Sequence, residues 1–185
     1  MAILHEKWKY TYEDYCKLPS DIRAEVLEGE LLMCASPNTR HQRISREIEF
    51  PLSQWVKEKG LGEVLNAPMD VVLSPYTVLQ PDILYLSKER LSIITEPNIQ
   101  GAPDLVVEIF SPGDEKRDAV KKKAIYEKYG VKEYWMVDPA HERITLLYLG
   151  EKGYQEKAVY AKGQVLESVI LPGFTLKLDE VFKVW

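Results

Sequence analysis

The sequence predicts a mixed α/β fold, with helix-flanked strands first and a β-rich C-terminal third. Three observations predict it. Residues 80–86 and 103–110 are short apolar runs, each interrupted by a carboxylate, Asp82 and Glu108. Residues 39–59 carry an apolar side chain every fourth position (Ile44, Ile48, Leu52, Val56), the stripe of a helix. After Pro139, turn residues Gly150, Gly153, Gly163 and Pro172-Gly173 punctuate short runs of antiparallel character.

The elements follow in order. Thr11 caps a short helix, Asp14 closes a capping box, and Pro19 ends the turn. Residues 23–33 read as a hairpin turning at Glu28-Gly29. Ser36-Pro37-Asn38 opens the longest helix, about 39–59, which Gly60 ends. Pro51 lies inside its stripe and is expected to kink or split it. Strands follow near 63–67, 69–74 and 82–87, then a short helix near 88–94. The run 104–110 is the most apolar strand, broken by Ser111-Pro112-Gly113. A basic helix spans about 114–129, with Asp114 as its cap and Gly130 just past its end. Its expected buried side is Ile125, Tyr129 and either Ala124 or Val120. A strand at 133–138 stops at Pro139, and further strands follow near 143–149, 154–161, 164–171 and 174–178. No linker or repeat divides the chain, so residues 1–185 are expected to form one domain.

The net charge of -5 argues against a chain coated in basic residues for tight non-specific DNA binding, though not against a local basic patch. Cys16 and Cys34 form neither a CxxC motif nor a disulfide framework, and fit a reducing compartment. Residues 1–7 lack the basic-then-apolar pattern of a signal peptide, and no apolar run approaches the roughly 20 residues of a membrane span. A cytoplasmic, soluble protein is expected.

A buried strand does not hold an unpaired ionised carboxylate cheaply. Two such strands suggest that Asp82 and Glu108 meet at one site, whose natural occupant is a hard cation, Mg²⁺ or Mn²⁺. The next helix carries Lys121, Lys122 and Lys123. A lysine beyond two metal-binding acids can polarise water or neutralise charge developing on a phosphate. That set suits phosphodiester hydrolysis.

Pro81-Asp82, Glu108 and a downstream lysine together resemble the PD-(D/E)XK nuclease superfamily. Asp118, Lys122, Tyr126, Gly130-Val131, Glu133-Tyr134-Trp135 and Val137-Asp138-Pro139, in order and spacing, resemble more closely the Uma-type family of restriction-endonuclease-like proteins. Upstream, residues 25–31, Ser36-Pro37 and His41 resemble it too. The resemblance implies a restriction-endonuclease-like mixed sheet flanked by helices, with added antiparallel C-terminal strands. It implies that Asp82 and Glu108 ligate metal and that Glu25 completes the metal shell or binds its water. The superfamily pattern places a lysine two residues after the second acid, where this chain has Phe110. The resemblance moves that lysine to Lys122.

Plain readings stand beside these. Asp82 could terminate a strand, Glu108 could form a buried salt bridge to Lys122, and Glu25 could be an exposed hairpin charge. On a helix the three lysines point about 100° apart, so one or two can face a site. His41 lies near Arg40, Arg43 and Arg46, which could form a phosphate-contacting stripe. Tyr126, Tyr134 and Trp135 read as core aromatics, and Asp138 as a strand-ending turn residue. The expected function is metal-dependent cleavage of nucleic acid, DNA foremost, with catalytic Asp82, Glu108, Lys122 and Glu25 and substrate-binding His41, Arg40 and Arg43. A catalytically silent nucleic-acid or partner-binding protein on the same scaffold is the alternative. Duplex cleavage makes a two-fold homodimer the economical arrangement. Leu146, Tyr148, Val159 and Tyr160 are candidates for its interface.

Overall fold

The structure, a computed structural model, describes residues 8–19, 21–111 and 116–183, with only the backbone of 116–119. The chain begins with α1 (Tyr12–Tyr15), closed by the expected Thr11–Asp14 capping box. The hairpin of β1 (Ala24–Leu27) and β2 (Glu30–Met33) turns at Glu28 and Gly29. Both have positive φ, 51° and 91°, the conformation a two-residue turn needs to match strand twist.

Helix α2 (Thr39–Lys59) is capped by the Asn38 side chain and ended by Gly60 in the left-handed conformation. It is not split at Pro51, one of the two outcomes expected there. Proline removes one backbone hydrogen bond inside a helix. Ile44, Ile48, Leu52 and Val56 remain buried on both sides of it, so packing holds the helix where local propensity would break it.

Next come β3 (Gly62–Asn66), β4 (Val71–Ser74), β5 (Thr77–Leu79), β6 (Ile83–Ser87), a short 3-10 helix (Lys88–Ile93) and β7 (Ile99–Gln100). Then follow β8 (Leu105–Ile109), α3 (Lys116–Tyr129), β9 (Glu133–Asp138), β10 (Arg143–Gly150) and β11 (Gly153–Ala161). The chain closes with β12 (Val165–Glu167), β13 (Thr175–Lys177) and α4 (Leu178–Val181). Asp82 therefore sits one residue before β6 rather than within it. The strands expected over 164–171 and 174–178 shrink to the β12–β13 pair. The Asp114 cap lies outside the described residues.

The strands form a six-stranded mixed sheet, β11-β10-β9-β8-β6-β3, a five-stranded sheet, β2-β1-β5-β4-β7, and the β12–β13 pair. Strand β8 is fully buried and divides its side chains by alternation. Leu105, Val107 and Ile109 face α2 and the C-terminal segment. Val106 shares a core with Ile125 and Tyr126 of α3 and with Leu27 and Leu79 of the smaller sheet. Glu108 follows Val106 onto that second face. Leu166, Leu171, Phe174, Leu176, Val181 and Phe182 pack into the α2 core, so the C-terminal segment is structural rather than peripheral.

Leu146 is fully buried and is no part of an exposed interface. Strand β11 is an edge, and its pairing with β10 shifts register so that Lys157 is bulged out. A bulge and a lysine are two ways an edge is protected against further strands.

Candidate active site

Register brings the two acids together. Strands β6 and β8 pair antiparallel with Ile83 opposite Val107, so Asp82 and Glu108 lie just beyond this pair, and both line one cleft. Asp82 Oδ2 accepts the Ile109 backbone N–H at 2.7 Å, which anchors it to the end of β8. Glu25 arrives from the smaller sheet and is 5% exposed, so it is not the surface hairpin charge of the plain reading. Its Oε1 accepts the Gln80 backbone N–H at 2.7 Å.

Helix α3 closes the group from above. Lys122 Nζ donates to Glu25 Oε1 at 2.9 Å and to both oxygens of Glu108, at 3.1 and 3.0 Å. Tyr126, one turn on, donates its hydroxyl to Glu108 Oε1 at 2.6 Å. Lys121 turns instead to Glu30, at 2.8 Å. The expected buried side of α3 is corrected accordingly: Tyr126 and Ile125 are buried, Val120 is 66% exposed, and Ala124 is exposed.

His41 is buried in the first turn of α2, with Nε2 3.3 Å from Asp82 Oδ2. Arg40 points elsewhere, 3.5 Å from Glu142, while Arg43 and Arg46 line a neighbouring groove. These acids, Lys122 and His41 open into a cleft of about 450 Å³, with Phe110 on its wall.

The electrostatics follow from burial. The Glu108 carboxyl is pushed up to about 7, chiefly by desolvation, with Glu25 and Asp82 adding repulsion against the attraction of Lys122. Burial alone would lower the Lys122 ammonium, but Glu108 and Glu25 hold it well above its ordinary value. It is therefore a permanent cation at neutral pH. Cys34 also lines the cleft, but burial, with Glu25 beside it, pushes its thiol up to about 12. It stays protonated and is a poor nucleophile.

The donor set suits a hard divalent cation: carboxylate oxygens lining one cleft, with a mutual repulsion that a cation would relieve. Among the described residues no group of three or more His, Cys, Asp or Glu side chains converges as a ready-made cage. The charge between Glu25 and Glu108 is carried by Lys122 in this arrangement.

Two participants escaped the sequence reading. Tyr126 read as core, although its spacing of four from Lys122 placed it on the lysine's face. The Gln80 backbone gives no sequence signal of its own. A second Pro-Asp dipeptide, Pro103-Asp104, is structural: Asp104 is buried and held by Lys132 at 2.7 Å and the Ser87 N–H at 2.8 Å. Asp138 is the expected turn residue, accepting from the His141 N–H.

The family described as "Uma2: Putative restriction endonuclease" matches residues 11–179. The chain belongs to this Uma2 family. A solved structure described as a putative nuclease of the DUF820 group, from Anabaena variabilis ATCC 29413, superposes with a TM-score of 0.78 at 19% identity. The match covers 93% of this chain and 97% of that one, and shows a shared fold. No curated protein matches the sequence. The Uma2 match includes both acids, Glu25, His41, Lys122 and Tyr126, so the whole cleft lies within the family's span.

Proposed function

We propose that the chain is a divalent-metal-dependent nuclease that hydrolyses phosphodiester bonds of DNA. The observation that carries this reading is the three-point grip of Lys122 on Glu25 and Glu108, with Asp82 lining the same cleft. It supplies the lysine that the Phe110 position lacks. The family description points the same way.

Asp82 and Glu108 would hold Mg²⁺ or Mn²⁺, with Glu25 binding a water beside them. The metal supplies Lewis acidity toward a phosphoryl oxygen and a lowered water pKa. Lys122 stays charged, and an N–H that its carboxylate partners give up to a bound cation would be free to orient a water or hold a non-bridging oxygen as negative charge grows on it. Tyr126 fixes the Glu108 carboxylate, and His41 fixes Asp82 from the opposite side. Hydrolysis adds water across one P–O bond, and the released oxygen takes a proton. A two-fold dimer would place one such site on each strand of a duplex.

The test is a cleavage panel over single-stranded, duplex and branched DNA with Mg²⁺ or Mn²⁺, run beside Asp82→Ala. Cleavage lost in that variant is expected. Metal binding without cleavage of any substrate would replace this reading with the silent-binder alternative.

A further inference from the structure

The outer face of α2 carries a feature that the acid cleft does not use. At roughly 100° per residue, Arg43, Arg46 and Phe50 fall within about 60° of one another, turned away from the buried stripe. Phe50 is 66% exposed, whereas Ile44, Ile48, Leu52 and Val56 on the same helix are buried. A polar groove of about 490 Å³ runs along this flank, lined by Gln42, Arg43, Ser45, Arg46, Glu49 and Asn66. Gln42, Ser45 and Asn66 also line the acid cleft, so groove and cleft are continuous. From Gln42 to Phe50 the helix advances about 12 Å, at about 1.5 Å per residue.

We propose that this face is a binding track for one strand of nucleic acid, with Arg43 and Arg46 on its phosphates and Phe50 as the platform on which an unstacked base lies. The proposal rests on the nuclease reading and adds to it where the strand runs outside the cleft and that the strand is single there. Three observations support it. A phenyl ring in water beside two guanidinium groups combines a stacking surface with cations, as single-strand binding requires. Arg46 is paired with Glu47 at 3.2 Å, but this arginine is 61% exposed and the pair is screened by solvent, so a phosphate can replace it. Glu47 and Glu49 flank the arginines, which leaves a positive strip one side chain wide. Such a strip serves one backbone rather than the two of a duplex. Arg40 is turned about 140° from the middle of the groove, so it lies off the track.

The experiment is fluorescence anisotropy with labelled oligo-dT, oligo-U and a duplex of equal length, in EDTA so that no strand is cut. Phe50→Ala should weaken single-strand binding by roughly 5- to 150-fold, the range for loss of one base–aromatic stack. Phe50→Trp should restore it, and duplex binding should be unmoved by either change. The Arg43→Gln/Arg46→Gln double variant should flatten the salt dependence by about 1.4 in log–log slope, at about 0.7 per phosphate contact for a single strand. Arg40→Gln should leave the slope unchanged. The dT and U arms separate DNA from RNA. Wild-type affinity in Phe50→Ala, an unchanged slope in the double variant, or preference for duplex would overturn the track while leaving cleavage intact. A change in sedimentation of Phe50→Ala with unchanged affinity would mark the patch as a protein contact and overturn it too. Absence of both binding and cleavage across the whole panel would instead remove the nuclease reading, and the track with it.

Discussion

Lys122→Met tests the center of the site, because it removes one charge and keeps the length of the side chain. Lys122 is 16% exposed and makes three contacts of 2.9 to 3.1 Å with two carboxylates that are themselves 7% and 10% exposed. Removing one partner of a buried pair costs about 3–5 kcal/mol, because the remaining charge is left uncompensated. Residual water access and protonation of Glu108 place the expected loss near the lower end, about 3 kcal/mol. With a urea m-value of about 2 kcal/mol/M, the unfolding midpoint should fall by roughly 1.5 M. Lys121→Met breaks a pair whose members are 33% and 36% exposed. It should cost about 0–1 kcal/mol, and Lys123→Met should be similarly mild. The loss in Lys122→Met should shrink at pH 5, where the abandoned Glu108 carboxyl is protonated. Cleavage should vanish in this variant while metal binding, measured by calorimetry, is retained, since lysine is not a ligand. Equal losses of stability and cleavage from all three substitutions would refute the reasoning and indicate a diffuse electrostatic role.

Other predictions follow from single contacts. Tyr126→Phe removes a 2.6 Å bond to Glu108 and should cost about 1.5–3 kcal/mol in chemical denaturation while shifting the pH profile of cleavage upward, as Glu108 loses a donor; an unmoved profile would make Tyr126 structural only. The Glu108 carboxyl sits near 7 when folded, above its ordinary 4.5. Its contribution to stability is therefore complete below about 4.5 and is lost as pH rises through about 7. Glu108→Gln should flatten that decline in urea midpoints taken across the range. Because a metal must displace this proton, the Mg²⁺-induced rise in melting temperature should grow with pH through about 7 and be abolished in Asp82→Ala. Glu133→Ala strands the donors of Trp135, Ser168, Val169 and Ile170 and should lower the melting temperature sharply without changing metal affinity.

The elements legible in the sequence are those whose signal is local. The stripe of α2, the Glu28-Gly29 turn and the apolar strand around Glu108 each announce themselves within about one to five turns or strand repeats. The placement of Asp82 and Glu108 in one cleft was legible because an acid inside an apolar run needs compensation. Strands β5 and β7, of three and two residues, were not, since so short a segment is a strand only by virtue of its neighbors. Tyr126 is the core aromatic its helical spacing suggests, but its hydroxyl has no local signal, since it acquires a role only when the Glu108 carboxylate from β8 lies within reach. Glu25 admits two readings from sequence, a metal-shell acid and a surface charge, because its burial depends on β5 and α3, which lie about 50 and 100 residues away in the chain. Pro51 shows the converse: a strong local breaker is overruled by side chains that pack from either side.

The placement of residues 166–182 in the α2 core sets a schedule for biosynthesis. Helix α2 is complete at Lys59, yet Leu166, Phe174 and Phe182 cover part of its apolar face. At about 5–20 residues per second, the ribosome needs roughly 6 to 25 s to pass from the end of α2 to Phe182. During that interval the face of α2 is exposed, and the six-stranded sheet lacks part of its backing. The nascent chain thus carries an apolar surface that only the late-emerging segment 166–182 covers, although every residue lining the cleft has already been made.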